Sequence, residues 1–281
     1  MGNNRFIVLV LGMHRSGTSC LAGCLERSGV ALGDVSRKGR YNQKGNYELS
    51  EVQRLNDQIL NLNRGSWNQP PKHIKIHPYH LNRMTEIGER LFLNSPSGIK
   101  DPRLLLIDEW KRVLPLPIKF IGTFRHPEAV ARSLKFRNGI PHEKGIALWK
   151  YYNELLIETH KNSSFPIIEF NLSDVNTYCD TVVQVSERMG LSAKTEHIRY
   201  FVSSDLDHNH SDDLIVPESC REVYAYLREN RFDCCRKLKT LPNASTKKQK
   251  AISHAMGAVQ EFIFNASRII TDRSHKSRKA I

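Results

Sequence analysis

The fold is decided by residues 7–19, which read Ile7-Val-Leu-Val-Leu-Gly12-Met-His-Arg-Ser-Gly17-Thr-Ser19. An apolar strand, predicted over residues 6–11, runs into a loop bracketed by two glycines, and the loop opens a helix. Such a strand–loop–helix directs backbone N–H groups at an anion, and the helix dipole favours the same negative charge. A Walker A loop has this glycine spacing but needs a lysine where Thr18 stands. The stretch therefore predicts a phosphate-holding loop whose cation is Arg15.

The composition is that of an ordinary soluble globular protein with an excess of positive charge. The 281 residues are 40% hydrophobic and 25% charged, and the formal net charge is +13. This excess predicts an anionic cofactor or substrate. No apolar run approaches the roughly 18 residues of a membrane span, and the N-terminal apolar stretch is too short for a signal peptide, so a cytoplasmic protein is expected. The six cysteines lack metal-site spacing, which favours free thiols.

Strands alternate with helices through about residue 202. Further strands are predicted over 117–124 and 165–170, and helices over 50–61, 84–93, 104–113, 128–137, 146–161 and 174–189. This alternation predicts an α/β fold, a three-layer sandwich with a central, mostly parallel sheet. Residues 73–80 are predicted to be irregular. We expect an α/β core at 1–202 containing an insert at 34–83, and a mainly helical extension of the same domain at 203–281, with helices near 218–229 and 247–271 and a basic tail at 273–281.

A second anion-binding pattern follows the strand predicted at 117–124. Arg125 ends this strand, and Ser133 lies eight residues on, inside the next helix. Ligands of open α/β sheets bind beyond the carboxyl ends of the strands, so Arg125 is expected at the same edge as the first loop. A guanidinium and a hydroxyl so placed can hold one phosphate. Two separate phosphate sites indicate a cofactor with phosphates at both ends of a nucleoside.

Four short motifs, within about residues 5–135, carry a family resemblance. Gly12–Ser19 looks like the 5′-phosphosulfate loop of sulfotransferases, which is P-loop-like. Phe124-Arg-His-Pro-Glu-Ala-Val-Ala-Arg-Ser-Leu134 resembles their 3′-phosphate motif. Lys100-Asp-Pro-Arg103 lies between these two, as in the branch that modifies carbohydrates and tyrosine. Gly45-Asn-Tyr-Glu48, followed by Arg54-Leu-Asn56, is similar to the Gly-aromatic-aromatic-Glu segment of bacterial members, with Asn46 in place of the first aromatic.

The resemblance implies an enzyme that uses 3′-phosphoadenosine 5′-phosphosulfate as donor and transfers a sulfuryl group to an acceptor hydroxyl, with no metal required. The 3′-phosphate would be held by Arg125 and Ser133. The 5′-phosphosulfate would be cradled by five consecutive residues, Arg15, Ser16, Gly17, Thr18 and Ser19.

The implied reaction is an in-line attack of the acceptor oxygen on sulfur. Because negative charge grows on the bridging oxygen and the sulfuryl group, Arg15 and Lys100 are predicted to stabilise it. Glu48 is predicted to be the general base. A histidine base is the alternative, the loop histidines being His73, His77, His80, His208 and His210. A structural ion pair with Asp101 is the alternative role for Lys100 and Arg103.

The acceptor is expected to be a carbohydrate or glycolipid hydroxyl, then a small alcohol or phenol, then protein tyrosine. The insert at 34–83 and the segment beyond 203 are expected to shape its pocket. The main rival function is a P-loop kinase or hydrolase that uses Mg-ATP, in which residues 104–108 would form a strand ending at a metal-binding Asp108. Pro102 and the missing loop lysine disfavour it. Nucleic acid is not expected as a partner, because the basic residues are dispersed along the chain.

Overall fold

The computed structural model describes residues 5–35, 44–114, 117–202 and 214–232. Four strands within these ranges form one parallel sheet in the order β2-β1-β3-β4. They are β1 (Ile7–Leu11), β2 (Ser97–Lys100), β3 (Ile118–Phe124) and β4 (Ile167–Glu169). The helices described are α1 (Thr18–Arg27), α2 (Ser50–Leu62), α3 (Pro78–Leu93), α4 (Ile107–Val113), α5 (Pro127–Asn138), α6 (His142–Asn162), α7 (Val175–Arg188), α8 (Thr195–Phe201) and α9 (Arg221–Asn230).

Strand β1 lies inside the sheet because its side chains are apolar on both faces. All five of its residues are buried, as expected of a strand covered by helices on both sides. It pairs with β2 on one edge and β3 on the other, so that Leu9 faces Ile99 and Phe120 in register. Burial of a continuous apolar run is what places this strand, and with it the loop that follows, inside the sheet.

The order of the strands reverses direction at β1. The chain passes from β1 to β2 on one side, and β3 and β4 then extend the sheet on the other side. Since parallel crossovers are right-handed, the two directions of winding place helices on opposite faces. The predicted α/β fold with a central parallel sheet is confirmed for the described residues. The loop after β1 lies at the carboxyl edge of this reversal, where such sheets bind ligands.

One strand was not predicted, and three predicted helix starts were wrong. Residues 97–100, for which no element was predicted, form β2 because they extend the sheet beside β1. Helix α6 begins at His142 rather than residue 146. Helix α3 begins at Pro78 rather than residue 84, since proline suits the first helical position and the His77 side chain accepts a hydrogen bond from the Tyr79 N–H. His80 is therefore a buried helical residue, not a loop histidine. Helix α4 begins only at Ile107, because Leu104 has a left-handed backbone with φ of 58°.

The helix predicted near 218–229 is present as α9. A short 3₁₀ turn over Glu218–Cys220 leads into α9, and the Phe232 N–H then donates to the Ile167 carbonyl at the edge of β4. Helix α8 was not predicted. The expected helix at 247–271, the tail at 273–281, and His208 and His210 lie outside the described residues. None of the helices in the described ranges has the length and apolar character needed to cross a membrane.

Candidate active site

The loop after β1 has the tight geometry that its two glycines allow. Gly12 and Gly17 have φ of 150° and 81°. A Cβ on Gly12 would lie 2.4 Å from the Thr123 carbonyl oxygen, and one on Gly17 would lie 2.2 Å from the Phe170 ring. The Thr123 hydroxyl donates to the Ser16 carbonyl at 3.0 Å, which ties the loop to β3. Both glycines are therefore required by close packing as well as by backbone angle.

The loop delivers the N-terminus of α1 to the carboxyl edge of the sheet. Within the described residues, no side chain caps this helix and no acidic residue occupies its first turn. The Ser16 hydroxyl is buried and has no hydrogen-bond partner in the part of the chain that the structure describes. A helix N-terminus beside a buried hydroxyl that still needs a partner is suited to an anion that accepts hydrogen bonds.

Arg15 connects the loop to the second predicted phosphate motif. Its Nε donates to the Ser133 hydroxyl at 2.7 Å, although the two residues are 118 positions apart. Arg125 is buried at the end of β3, with its guanidinium carbon 5.5 Å from the centroid of the Phe170 ring. Burial, followed by the charges of Arg137 and Arg125, lowers the pKa of Arg15 to about 10. We call Arg15, Arg125 and Ser133 the donor side of the site.

Lys100 lies at the end of β2, next to the start of α1. Its Nζ donates to Glu48 Oε1 at 2.7 Å and to the Ser19 hydroxyl at 3.3 Å, and Ser19 in turn donates to the Asn46 carbonyl. Burial lowers the pKa of Lys100, and Glu48 opposes that shift without cancelling it. The structure therefore places Glu48, Lys100 and Ser19 in one hydrogen-bonded group beside the loop.

Arg103 lies beyond Lys100 in a network of carboxylates. Its Nη1 donates to Asp101 at 2.6 Å, its Nε donates to Asp57 at 3.0 Å, and Glu48 Oε2 lies 4.0 Å from Nη1. Burial alone would lower the pKa of Arg103, but Asp101, Asp57 and Glu48 outweigh it and raise that pKa above its ordinary value. We call Lys100, Arg103 and these three carboxylates the acceptor side. Arg103 forms the ion pair with Asp101 that was the alternative interpretation of this residue.

Sequence reasoning missed several residues around these groups. Phe170 packs under Gly17, and the His14 ring lies 4.3 Å from the Trp67 ring between centroids. Asp57 could have been found, because it follows the Asn56 of the quoted motif by one residue on α2. Phe170 and Trp67 carry no local signal. Only the fold brings them to the loop.

The rival strand ending at Asp108 is absent from the described structure. Residues 107–113 form α4, and Asp108 is in its first turn with a side chain 86% exposed and paired with Lys111. No group of three or more His, Cys, Asp or Glu side chains placed to hold a metal occurs in the described ranges. Asp108 is thus an exposed helical residue and does not lie at the carboxyl edge of a strand.

Comparisons with known proteins find matches among solved structures. No family model matches the chain, and no curated protein matches it. Among solved structures, the sulfotransferase domain from the Synechococcus PCC 7002 olefin synthase is similar, with 16% identity and a TM-score of 0.44, over 86% of this chain and 91% of that one.

Proposed function

We propose that this protein is a sulfotransferase that takes a sulfuryl group from 3′-phosphoadenosine 5′-phosphosulfate and passes it to an acceptor hydroxyl. One observation carries the proposal, the 2.7 Å hydrogen bond from Arg15 Nε to Ser133 Oγ. It joins two anion-binding patterns that the sequence keeps far apart. Two anion-binding motifs that meet at one edge of the sheet can together hold the two phosphate groups of one nucleoside.

The residues present fit such a donor. The 5′-phosphosulfate would be held by Arg15 and the backbone N–H groups of residues 16–19, and the buried Ser16 hydroxyl would gain the partner it needs. The 3′-phosphate would be held by Arg125 and Ser133. Arg15 supports this assignment, because a half-buried guanidinium that experiences the like charges of Arg137 and Arg125 is stabilised when an anion enters.

The chemistry asked of the protein is mainly electrostatic. Arg15 and Lys100 stabilise the charge that develops on the leaving phosphate oxygen and the transferred group, and they are pre-positioned by Ser133 and Ser19. Glu48 accepts the proton of the acceptor hydroxyl. Because its Oε1 lies 2.7 Å from Lys100 Nζ, the lysine fixes the carboxylate next to the reacting centre.

We propose a carbohydrate or glycolipid hydroxyl as the acceptor. The insert at 34–83 supplies Glu48 and also one wall of a cavity of about 390 Å³, whose other walls are residues 104–111 and α6. Leu104, directly after Arg103, lines this cavity. Its polar lining includes Lys72, Asp108 and Glu158, which can bind hydroxyl groups by hydrogen bonds.

The first test is calorimetric titration with adenosine 3′,5′-bisphosphate, ADP and ATP, each with and without Mg²⁺. We expect metal-independent binding of the bisphosphate, in preference to the other two nucleotides, and its loss in Arg125→Ala. Arg132→Ala is the matched control, because Arg132 is an exposed arginine on the next helix that pairs with Glu128. Preference for Mg-ATP, or no nucleotide binding, would overturn the proposal.

Glu48→Gln tests the general base. We expect transfer to fall by more than tenfold, which corresponds to about 1.4 kcal/mol of barrier, while bisphosphate affinity changes little. The measurement is turnover with a panel of sugar and phenol acceptors, with calorimetry on the same variant. Turnover within tenfold of the original enzyme would rule Glu48 out as the base.

A further inference from the structure

His14 is a polar side chain of the loop that the proposed reaction does not yet use. Its Nε2 is shielded from solvent and has no hydrogen-bond partner in the described part of the chain. The Trp67 ring lies against the imidazole, with 4.3 Å between the ring centroids. A buried nitrogen left in this way is destabilising, so the position suits a ligand atom that the described part of the protein does not supply.

The groups that face His14 come from four parts of the fold. Arg15 is its neighbour in the loop, and positive charges also act on it from Lys100 at the end of β2, from Arg103 beyond it, and from Arg137 on α5. Behind Lys100 and Arg103 stand the carboxylates of the acceptor side, Glu48, Asp101 and Asp57. Burial, followed by the four cations, lowers the pKa of His14 well below 6.5. The imidazole is therefore neutral at pH 7.

We propose that His14 Nε2 is a direct ligand of the 5′-phosphate held by the loop, and that it binds as a charged donor after taking up a proton when the anion enters. The inference rests on the proposed function for the identity of the anion. The proton comes from solvent and forms a second N–H bond on the ring, and it is returned when the anion leaves.

His14 takes up a proton on binding because the net charge around the imidazole becomes less positive when the anion enters. Before binding, four cations and a low-polarity cover oppose a charge on the ring. A phosphate anion among Arg15, Lys100 and the helix N-terminus offsets those cations and adds an opposite charge within hydrogen-bond reach, both of which favour the imidazolium. A charge-assisted hydrogen bond from N–H to a phosphate oxygen then stabilises the bound state.

The Trp67 ring packs against one side of the His14 imidazole. The Tyr152 hydroxyl donates to the Trp67 carbonyl at 2.6 Å, which anchors this part of the insert to α6. Trp67→Ala should let water reach the imidazole, so that part of the proton uptake occurs before the anion binds.

Titration of the whole protein with adenosine 3′,5′-bisphosphate in two buffers of different ionisation enthalpy tests this inference, because it counts the protons taken up per ligand. We expect uptake that increases as the pH falls from 8 toward 6.5. His14→Asn should remove the His14 share and weaken binding roughly tenfold, within the range measured for hydrogen bonds to charged groups. Trp67→Ala should lower the uptake while binding persists.

Two other histidines provide controls. His160 on α6 is hydrogen-bonded to Tyr226, away from the loop, and His160→Asn should leave uptake unchanged. His126 adjoins Arg125, so His126→Asn measures how much of the proton uptake comes from His126. Equal uptake in His14→Asn and the original protein would overturn the inference. If His14→Asn does not fold, proton uptake in Trp67→Ala equal to that of the original protein would overturn the inference instead. No bisphosphate binding by the original protein would instead defeat the proposed function.

Discussion

The donor side contains the half-buried Arg15 and the acceptor side the buried Arg103, and the pKa values of these two arginines are shifted in opposite directions. Arg15 has its pKa lowered by burial and by the like charges of Arg137 and Arg125. Arg103 has its pKa raised because Asp101, Asp57 and Glu48 outweigh its burial. Arg103 is compensated by carboxylates of the protein, whereas Arg15 has other arginines near it and would be stabilised by an incoming anion. This difference favours ligand binding at Arg15 and a structural role for Arg103.

The largest effect is expected on the acceptor side, from Arg103→Leu. Removing Arg103 takes the ion-pair partner from the largely buried Asp101 and from the partly exposed Asp57, and it should lower the free energy of unfolding by about 3 kcal/mol. Denaturant unfolding measures this, with the exposed pair partner Arg112→Leu as control. A cost below about 1 kcal/mol, the usual value of a surface pair, would show that Arg103 does not hold the acceptor side together.

Gly17→Ala should give the next largest effect, on the donor side. The added methyl would meet the Phe170 ring and displace the loop, and we expect bisphosphate affinity to fall roughly 100-fold, or about 2.7 kcal/mol. Gly29→Ala is the matched control, since Gly29 also has a positive φ but has nothing within 4 Å of the new Cβ. It shares the backbone strain without the collision. Equal losses of affinity in both variants would mean that strain alone matters.

Ser133→Ala should have a smaller effect on the same side. It removes the hydroxyl that Arg15 Nε contacts and that would face the 3′-phosphate, and we expect about a tenfold loss of bisphosphate affinity, near 1.4 kcal/mol. Ser186→Ala removes a buried helical hydroxyl on α7 and should leave affinity unchanged. Calorimetry measures the bisphosphate affinity of the two variants. Identical affinities would show that Ser133 does not take part in bisphosphate binding.

The smallest effect is expected in the pH dependence of stability. The folded-state pKa of His14 lies below its ordinary value of 6.5, so the unfolded chain binds more protons below that pH. The neutral His14 therefore contributes fully to the free energy of unfolding above pH 6.5, and this contribution is lost as the pH falls below 6.5. Between pH 5 and 6.5, the free energy of unfolding should decline less steeply in His14→Asn. Parallel curves from denaturant unfolding would show that His14 is solvated.

The sequence was informative wherever a signal was local. The apolar run at 7–11, the two glycines after it, and the proline that opens α5 predicted their elements because each limits the backbone at its own position. The Arg125–Ser133 spacing predicted a phosphate site for the same reason, since a strand end and the following helix are adjacent in the chain. Strand β2 was missed because four residues, Ser97–Lys100, carry little periodicity and are fixed by pairing with β1.

By itself, the sequence determined an α/β chain with a basic, glycine-bracketed loop and a second motif predicted to bind an anion. Only the tertiary structure decided that Arg15 meets Ser133, that Lys100 meets Glu48, and that Arg103 belongs to a carboxylate network. It also decided that the His14 ring packs against the Trp67 ring. The physical reason is that backbone preferences depend on neighbours in the chain, whereas burial and charge depend on neighbours in space, which the order of the parallel strands sets.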